Sequence, residues 1–339
     1  MITFRDFMES SLYDPETGFY PHRRSRDDFY TAPELHPAFA EVLAGEIAAR
    51  LHAVAEARPA APLFIVEMGS GDGALARQVL GALKENHRRW FCRARYVLVE
   101  RVESALLESI FSLQDVGAQL LGYSRLDEIQ PLCGVLFSNE LVDAMPVHLL
   151  EKRDREMREV FVDRRCGRGR CLGARLGIPS RRELSDAARR VGPSLPEGGR
   201  HAVSLEARTW MRTVARVLKA GSVITVDYGK RFAPRAPNPP RSFYRHTTGD
   251  DILARPGRQD LTASVDFSQL IAEGERRGLR TASYTTLGRF LLERGILQRM
   301  PSGMCAAAFA ERSRIKTLFH PEGMGDVFKV LVQEKGLLP

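Results

Sequence analysis

Two acidic segments carry the residue types and spacings from which chemistry can be built. In the first, an apolar run, Leu63-Phe64-Ile65-Val66, passes into Glu67 and then three alternate glycines, Gly69, Gly71 and Gly73, with Asp72 between the last two. Glycines so placed let the backbone take φ > 0 and let a ligand come closer than a Cβ permits, at the carboxyl end of a strand. The second is Ser138-Asn139-Glu140-Leu141-Val142-Asp143-Ala144-Met145-Pro146-Val147-His148, directly after another apolar run. Glu140 and Asp143 stand three apart, so a helical turn begun here would put both carboxylates on one face. Such a pair can hold a guanidinium in bidentate fashion and take up a proton that the group releases. His148 is a second candidate base. The plain alternatives are that Asn139 caps a helix and that His148 is a core histidine whose hydrogen bonds are met internally.

The glycine pattern is E-x-G-x-G-x-G and not the dinucleotide fingerprint G-x-G-x-x-G. The fingerprint seats a pyrophosphate on a helix N-terminus, and an Asp72 inside the turn would repel it. A cationic nucleoside suits the turn better: S-adenosyl-L-methionine carries a sulfonium and no phosphate, and Glu67 and Asp72 would flank it. A further acid agrees. Ala94 to Val99 is another short apolar strand, preceded by a helical stretch, Ala74 to Glu85, and it ends in Glu100. In a β-α-β unit of this kind, a strand-terminal carboxylate accepts the ribose hydroxyls. Glu100 lies 27 residues beyond Gly73, against about 20 in the dinucleotide folds. The surplus reads as a polar helix end and loop, Lys84 to Trp90.

The elements that must position these residues make an α/β protein, a Rossmann-like sheet with a helical N-terminal extension and inserted and C-terminal accessory segments. Residues 1–60 read as the extension, 61–152 as the nucleoside-binding core, 153–204 as an insertion with a hairpin near Arg158–Val162, 205–230 as the core continued, 231–285 as an acceptor-side loop and insertion, and 286–339 as C-terminal helices and a last strand. Within the extension, Glu34 to Val54 has a 3.6-residue apolar period and reads as one helix with Pro33 in its first turn. Gly134–Ser138 and Gly221–Gly229 read as the fourth and fifth strands and Asp326–Gln333 as the last, while no third strand stands out. Phe232 to Pro240 holds too many prolines for a helix or a central strand.

The chain has 339 residues, 44% of them hydrophobic, enough for a large core. No run of about 18 apolar residues and no basic-then-apolar N-terminus occurs, so a cytoplasmic protein with no membrane partner is expected. Five scattered cysteines without a C-x-x-C read as thiols, with no metal site. The formal charge is +8, and only seven of the 50 basic residues are lysines. The arginine runs at 23–26 and 164–170 lack interleaved aromatics, so no nucleic-acid partner is expected; a homodimer is left open.

At this point the chain resembles the MidA-like class I S-adenosylmethionine-dependent methyltransferases, a family that includes a mitochondrial complex I assembly factor that methylates arginine. The resemblance runs through Asp14-Pro15 with Gly18-Phe19-Tyr20, Asp28-Phe29-Tyr30-Thr31-Ala32-Pro33-Glu34, Glu67 to Gly73 and Asn139 to His148. It continues through Asp227-Tyr228-Gly229, Arg241-Ser242-Phe243-Tyr244-Arg245-His246 and Gln259 to Phe267. It implies in-line transfer of the sulfonium methyl with release of S-adenosyl-L-homocysteine. Gly69, Gly71, Gly73 and Glu100 would bind the cofactor, Asn139 would sit near its methionine end, and Thr31, Pro33 and Glu34 would close over it. Tyr244, His246 and Asp266 would line the acceptor pocket. Departures touch the acceptor more than the cofactor: Asp27 stands where the family has Gly, Ser70 where it has Pro, and the loop from Tyr228 to Arg241 diverges. Three functions follow: protein arginine methylation, methylation of a small-molecule oxygen or nitrogen, and a non-catalytic assembly factor that keeps the fold.

Overall fold

The computed structural model describes residues 1–22, 32–166, 171–232, 236–245 and 247–337. Thr31 and His246 therefore lie outside the described residues. A short strand β1 (Ile2–Thr3) leads into α1 (Phe4–Tyr13), capped by the Thr3 hydroxyl, which accepts from the Asp6 amide. Helices α2 (Phe19–His22), α3 (Ala32–Leu35) and α4 (Ala38–Ala57) follow. The single helix expected over Glu34–Val54 is thus two. Pro37 has no amide to donate and its ring crowds the preceding turn, so it opens α4 instead of continuing α3.

Next come β2 (Leu63–Met68), α5 (Ala74–Asn86), α6 (Arg88–Arg93) and β3 (Ala94–Val99). Helix α6 stands where a loop was expected. Its Trp90 is buried, and the Arg89 guanidinium lies 4.7 Å from the ring centroid. After α7 (Glu103–Ser112) comes β4 (Leu120–Tyr123), the strand that the sequence did not reveal, with no residue fully buried. Then follow β5 (Leu132–Asn139), β6 (His148–Arg153) and β7 (Glu156–Cys166). Asp154 and Arg155, both at positive φ, close the tight hairpin between the last two, as a primed two-residue turn requires. The remaining elements are β8 (Cys171–Gly177), α8 (Arg182–Val191), β9 (Arg200–Val203), α9 (Leu205–Val217), β10 (Leu218–Lys230), β11 (Arg241–Tyr244), β12 (Thr247–Gly249) and β13 (Asp260–Thr262). They end with β14 (Val265–Asp266), α10 (Phe267–Arg276), β15 (Arg280–Thr286), α11 (Leu287–Glu293), α12 (Ala306–Phe319) and β16 (Phe328–Lys335).

Two compact units result, one of Met1–Phe29, Val142–Thr209 and Lys230–Gln269, the other of Tyr30–Leu141, Trp210–Gly229 and Leu270–Pro339. The second is built on a sheet of order β15-β16-β10-β5-β2-β3-β4. From β10 to β4 neighbouring strands are parallel, and β16 runs antiparallel to both its neighbours. This is the Rossmann-like α/β sheet that the sequence led one to expect. The order reverses at β2, with β3 on one side and β5 on the other, so its carboxyl end is the switch point where ligands bind. Val42, Leu43 and Ile47 of α4 and Val79 and Leu83 of α5 pack with Ile65, Tyr96 and Phe137 of the sheet.

The first unit holds an antiparallel sheet of order β1-β7-β6-β9, with β8 on β7, and a small sheet of order β12-β11-β13. Its core joins Phe4, Phe7, Met8 and Leu12 of α1 to Leu149, Val160 and Leu261. Among the described residues, no helix is long and apolar enough to cross a membrane and no group of three or more His, Cys, Asp or Glu is placed to hold a metal ion.

Candidate active site

In the parallel-sheet unit, β2 runs out into the glycine turn. Gly69, Gly71 and Gly73 have φ of 77°, 52° and 82°. The Gly69 and Ser70 amides reach the Val99 carbonyl at 2.8 and 3.3 Å, which fastens the turn to β3. A Cβ on Gly69 would come within 2.8 Å of Leu141 Cδ1, and one on Gly73 within 2.8 Å of Ser109 Cβ. A Cβ on Gly71 would meet nothing within 4 Å. Gly69 and Gly73 therefore also serve packing, while Gly71 faces an open cradle. Asp72 Oδ1 accepts from the Ala74 amide at 3.0 Å and so holds the start of α5.

Glu100 follows β3 directly. Its Oε2 accepts from the Gly71 amide at 3.0 Å and its Oε1 from the Val102 amide at 2.9 Å. Burial pushes its carboxyl above the usual range against the pull of those bonds. With about four lone-pair sites on a carboxylate, Glu100 keeps acceptor capacity beyond these backbone bonds and the one from the Arg101 amide. Glu67 is placed differently from the flanking charge that the sequence suggested. It is 2% exposed, and it accepts a hydrogen bond from the Tyr96 hydroxyl. Burial, with the charges of Asp72 and Glu100 adding to it, raises its pKa to about 8. At neutral pH Glu67 is largely uncharged, which leaves the negative field of the turn to Asp72 and Glu100.

Met68 and Ser138 are register partners on β2 and β5, so Asn139 ends β5 beside the turn. Asn139 Nδ2 donates to Glu140 Oε1 at 3.1 Å, and the same oxygen accepts from the Ala32 amide at 3.2 Å, where α3 begins. Gln78 Nε2 on α5 holds the Pro33 carbonyl at 3.1 Å. The N-terminal segment that carries Glu34 and the end of β5 thus meet at Glu140. The helical turn imagined over Glu140–Asp143 is not formed. Glu140 sits at φ 50°, a left-handed conformation, and turns and bends lead on to β6. That corrects the idea of a shared carboxylate face, and Asn139 caps no helix. The arrangement fits S-adenosyl-L-methionine: Gly71 opens a cradle, Glu100 offers a carboxylate beside it, and Ser70 Oγ and Asn139 Oδ1 are buried with no hydrogen-bond partner.

The remaining sequence-derived candidates belong to the other unit. His148 is 4% exposed and its Nδ1 lies 2.8 Å from Glu159 Oε1. Burial works against the charge of Glu159, but the hydrogen bonds from His148 and Ser180 prevail and hold it below the usual range. His148 is therefore placed as the core histidine of the alternative reading. Asp266 Oδ1 accepts from the Ser268 and Gln269 amides at 3.0 and 3.4 Å, the N-cap of α10, and burial pushes its carboxyl up. Tyr244 on β11 has the Arg255 guanidinium 4.6 Å from its ring centroid. Sequence reasoning missed a cluster here: Tyr20 donates to Asp260 Oδ1 at 3.1 Å, and Tyr13 stacks on Tyr20. The signal was the placement of these acids and aromatics inside segments singled out for other reasons.

The model of a family described as S-adenosyl-L-methionine-dependent methyltransferase matches residues 42–285. The mitochondrial protein arginine methyltransferase NDUFAF7 homolog of Drosophila melanogaster is 25% identical, over 99% of this chain and 82% of that protein. The NDUFAF7 protein of Mus musculus, also named a mitochondrial protein arginine methyltransferase, is 27% identical over 96% and 79%. A crystal structure from Burkholderia thailandensis bound to S-adenosyl-homocysteine matches with a TM-score of 0.85 at 28% identity, over 100% of this chain and 89% of that one.

Proposed function

We propose, for a chain that belongs to the family of S-adenosyl-L-methionine-dependent methyltransferases, that its acceptor is an arginine side chain of a protein. The observation that carries this reading is the likeness, along 96–99% of the chain, to two proteins named protein arginine methyltransferases.

The cofactor supplies an activated methyl on its sulfonium and leaves as S-adenosyl-L-homocysteine. What the chain supplies is position, the larger part of such a reaction. Gly71 would let the ligand lie against the turn, Glu100 would accept from the ribose hydroxyls, and Asn139 would orient the methionine end. Glu140, held at the end of β5 by its bonds to Asn139 and Ala32, orients the guanidinium by charge-assisted hydrogen bonding and takes the proton that its nitrogen loses. The test is to incubate the protein with methyl-labelled S-adenosyl-L-methionine and a cell extract, then hydrolyse the protein fraction. Label in methylarginine is expected. Label confined to small molecules, or to another residue type, would overturn the acceptor assignment.

A further inference from the structure

The parallel-sheet unit carries, at the end away from the glycine turn, a charge cluster that the cofactor site does not use. Residues 88–95, Arg-Arg-Trp-Phe-Cys-Arg-Ala-Arg, hold four arginines and no acid. They form α6 and the start of β3. Ala94, the first residue of β3, is the register partner of Leu63, the first of β2, so this is the amino end of the sheet. Arg88, Arg89, Arg93 and Arg95 are all exposed. Elsewhere in the unit arginines are met by carboxylates: Arg50 and Arg294 by Glu46, Arg212 by Glu273 and Arg299 by Glu41. In α6 and at the start of β3 rings take that place. The guanidiniums of Arg89 and Arg93 lie 4.7 and 5.7 Å from the centroid of the Trp90 ring, and that of Arg95 lies 5.9 Å from the centroid of the Phe64 ring. Among the described residues none of the four arginines is in an ion pair.

A guanidinium lodged over a ring is held in place while its fork of N–H donors stays available to an acceptor. Carboxylates match that fork in bidentate fashion. On an extended chain the side chains of one face repeat every two residues, about 6.6 Å, a step that two guanidiniums lodged over one ring can follow. Other polyanions fit less well. Trp90 is 7% exposed beneath its arginines, and Lys84 Nζ lies 5.8 Å from the Phe91 centroid. Both aromatic rings of α6 thus already carry a cation, which a stacking base or an acyl layer would have to displace. We propose that Arg88, Arg89, Arg93 and Arg95 form a docking surface for an acidic protein segment, a run of Asp and Glu in extended conformation. The surface belongs to the same unit as the cofactor site and lies at the other end of its sheet, so a partner held there leaves the carboxyl ends of the strands open. It stands independently of which group accepts the methyl.

The test titrates the full chain at low salt with a fluorescein-labelled deca-glutamate peptide, beside a deca-glutamine peptide, an oligo-thymidylate of the same length and vesicles of phosphatidylcholine with phosphatidylserine. The deca-glutamate peptide binds with micromolar Kd, and more weakly as salt is raised, because the contacts are exposed. Arg89→Gln with Arg93→Gln weakens it by about tenfold, and Arg89→Lys with Arg93→Lys, which keeps the charge and loses the fork, by roughly threefold. Arg181→Gln with Arg182→Gln, exposed positions of the other unit, leaves it unchanged, which separates the cluster from the formal charge of +8. Affinity for S-adenosyl-L-homocysteine stays at the wild-type value throughout. If loss of the contacts with Trp90 unfolds the first variant, Arg88→Gln decides, with an expected weakening of about threefold. The proposal is overturned if the deca-glutamate peptide fails to bind or binds no better than deca-glutamine, or if a folded variant of the cluster keeps wild-type affinity. Equal weakening by the Arg181 and Arg182 changes, or tighter binding of the oligo-thymidylate or the vesicles, overturns it as well.

Discussion

Glu67 stands beside the glycine turn in the sequence and beneath it in space, so burial turns an expected ligand charge into a mostly protonated core acid. Its pKa is raised from 4.5 to about 8, so the folded chain binds more protons than the unfolded one between those values and stability falls as pH rises through that window. The slope owed to this one group is about 1.4 kcal/mol per pH unit. Urea denaturation between pH 5 and pH 8 should show that fall in the wild type and a flatter profile in Glu67→Gln; equal slopes would mean that Glu67 titrates normally. Glu140 gives a second test. Glu140→Gln keeps an acceptor for the Ala32 amide, so cofactor affinity should hold while turnover drops by about tenfold or more; unchanged turnover would take the carboxylate out of the chemistry. The glycines were legible because positive φ leaves a compositional mark. Glu67 was not: a parallel strand covered on both faces gives no alternation from which to read which way its side chain points.

At the scale of elements, legibility followed apolar length. Strands β2, β3, β5, β10 and β16 are uninterrupted enough to be read directly, whereas β4 is four residues with Gly122 in the middle and leaves no such trace. The apolar period across Glu34–Val54 was real, but it passed over the backbone chemistry of Pro37, which divides the segment into α3 and α4. Helix α1 shows local and tertiary signals in agreement: Thr3 caps it and Phe4, Phe7, Met8 and Leu12 bury one face. Thr3→Ala should cost about 1 kcal/mol of stability by stranding the Asp6 amide, read as a lower urea midpoint at unchanged m. A shift of only a tenth or two of that would mean that water replaces the cap.

At the scale of the molecule, the sheet of the second unit is the part that the sequence specified most completely, because one β-α-β repeat with acids at two strand ends fixes both a fold and a ligand class. The segments of the first unit were read separately, as part of a helical extension, an insertion with a hairpin and an acceptor-side loop and insertion, and they form two antiparallel sheets. Several of its strands are short, among them β9, β11, β12 and β13, and the pairs β1 with β7 and β6 with β9 join segments distant in the chain. Because a ligand that binds only the folded state adds stability by mass action, S-adenosyl-L-homocysteine at a hundred times its Kd should add about 2.7 kcal/mol, with a matching rise in Tm. The most direct test of the whole account is calorimetric titration of wild type and Gly71→Val with S-adenosyl-L-methionine, S-adenosyl-L-homocysteine and NAD. The account predicts micromolar binding of both sulfur ligands and none of NAD by the wild type, with both lost in a Gly71→Val protein that still melts cooperatively, at a Tm lowered by the strain of a β-branched residue at φ 52°. Binding by that variant at wild-type affinity would contradict it, because the cradle at Gly71 would then not be where the cofactor lies.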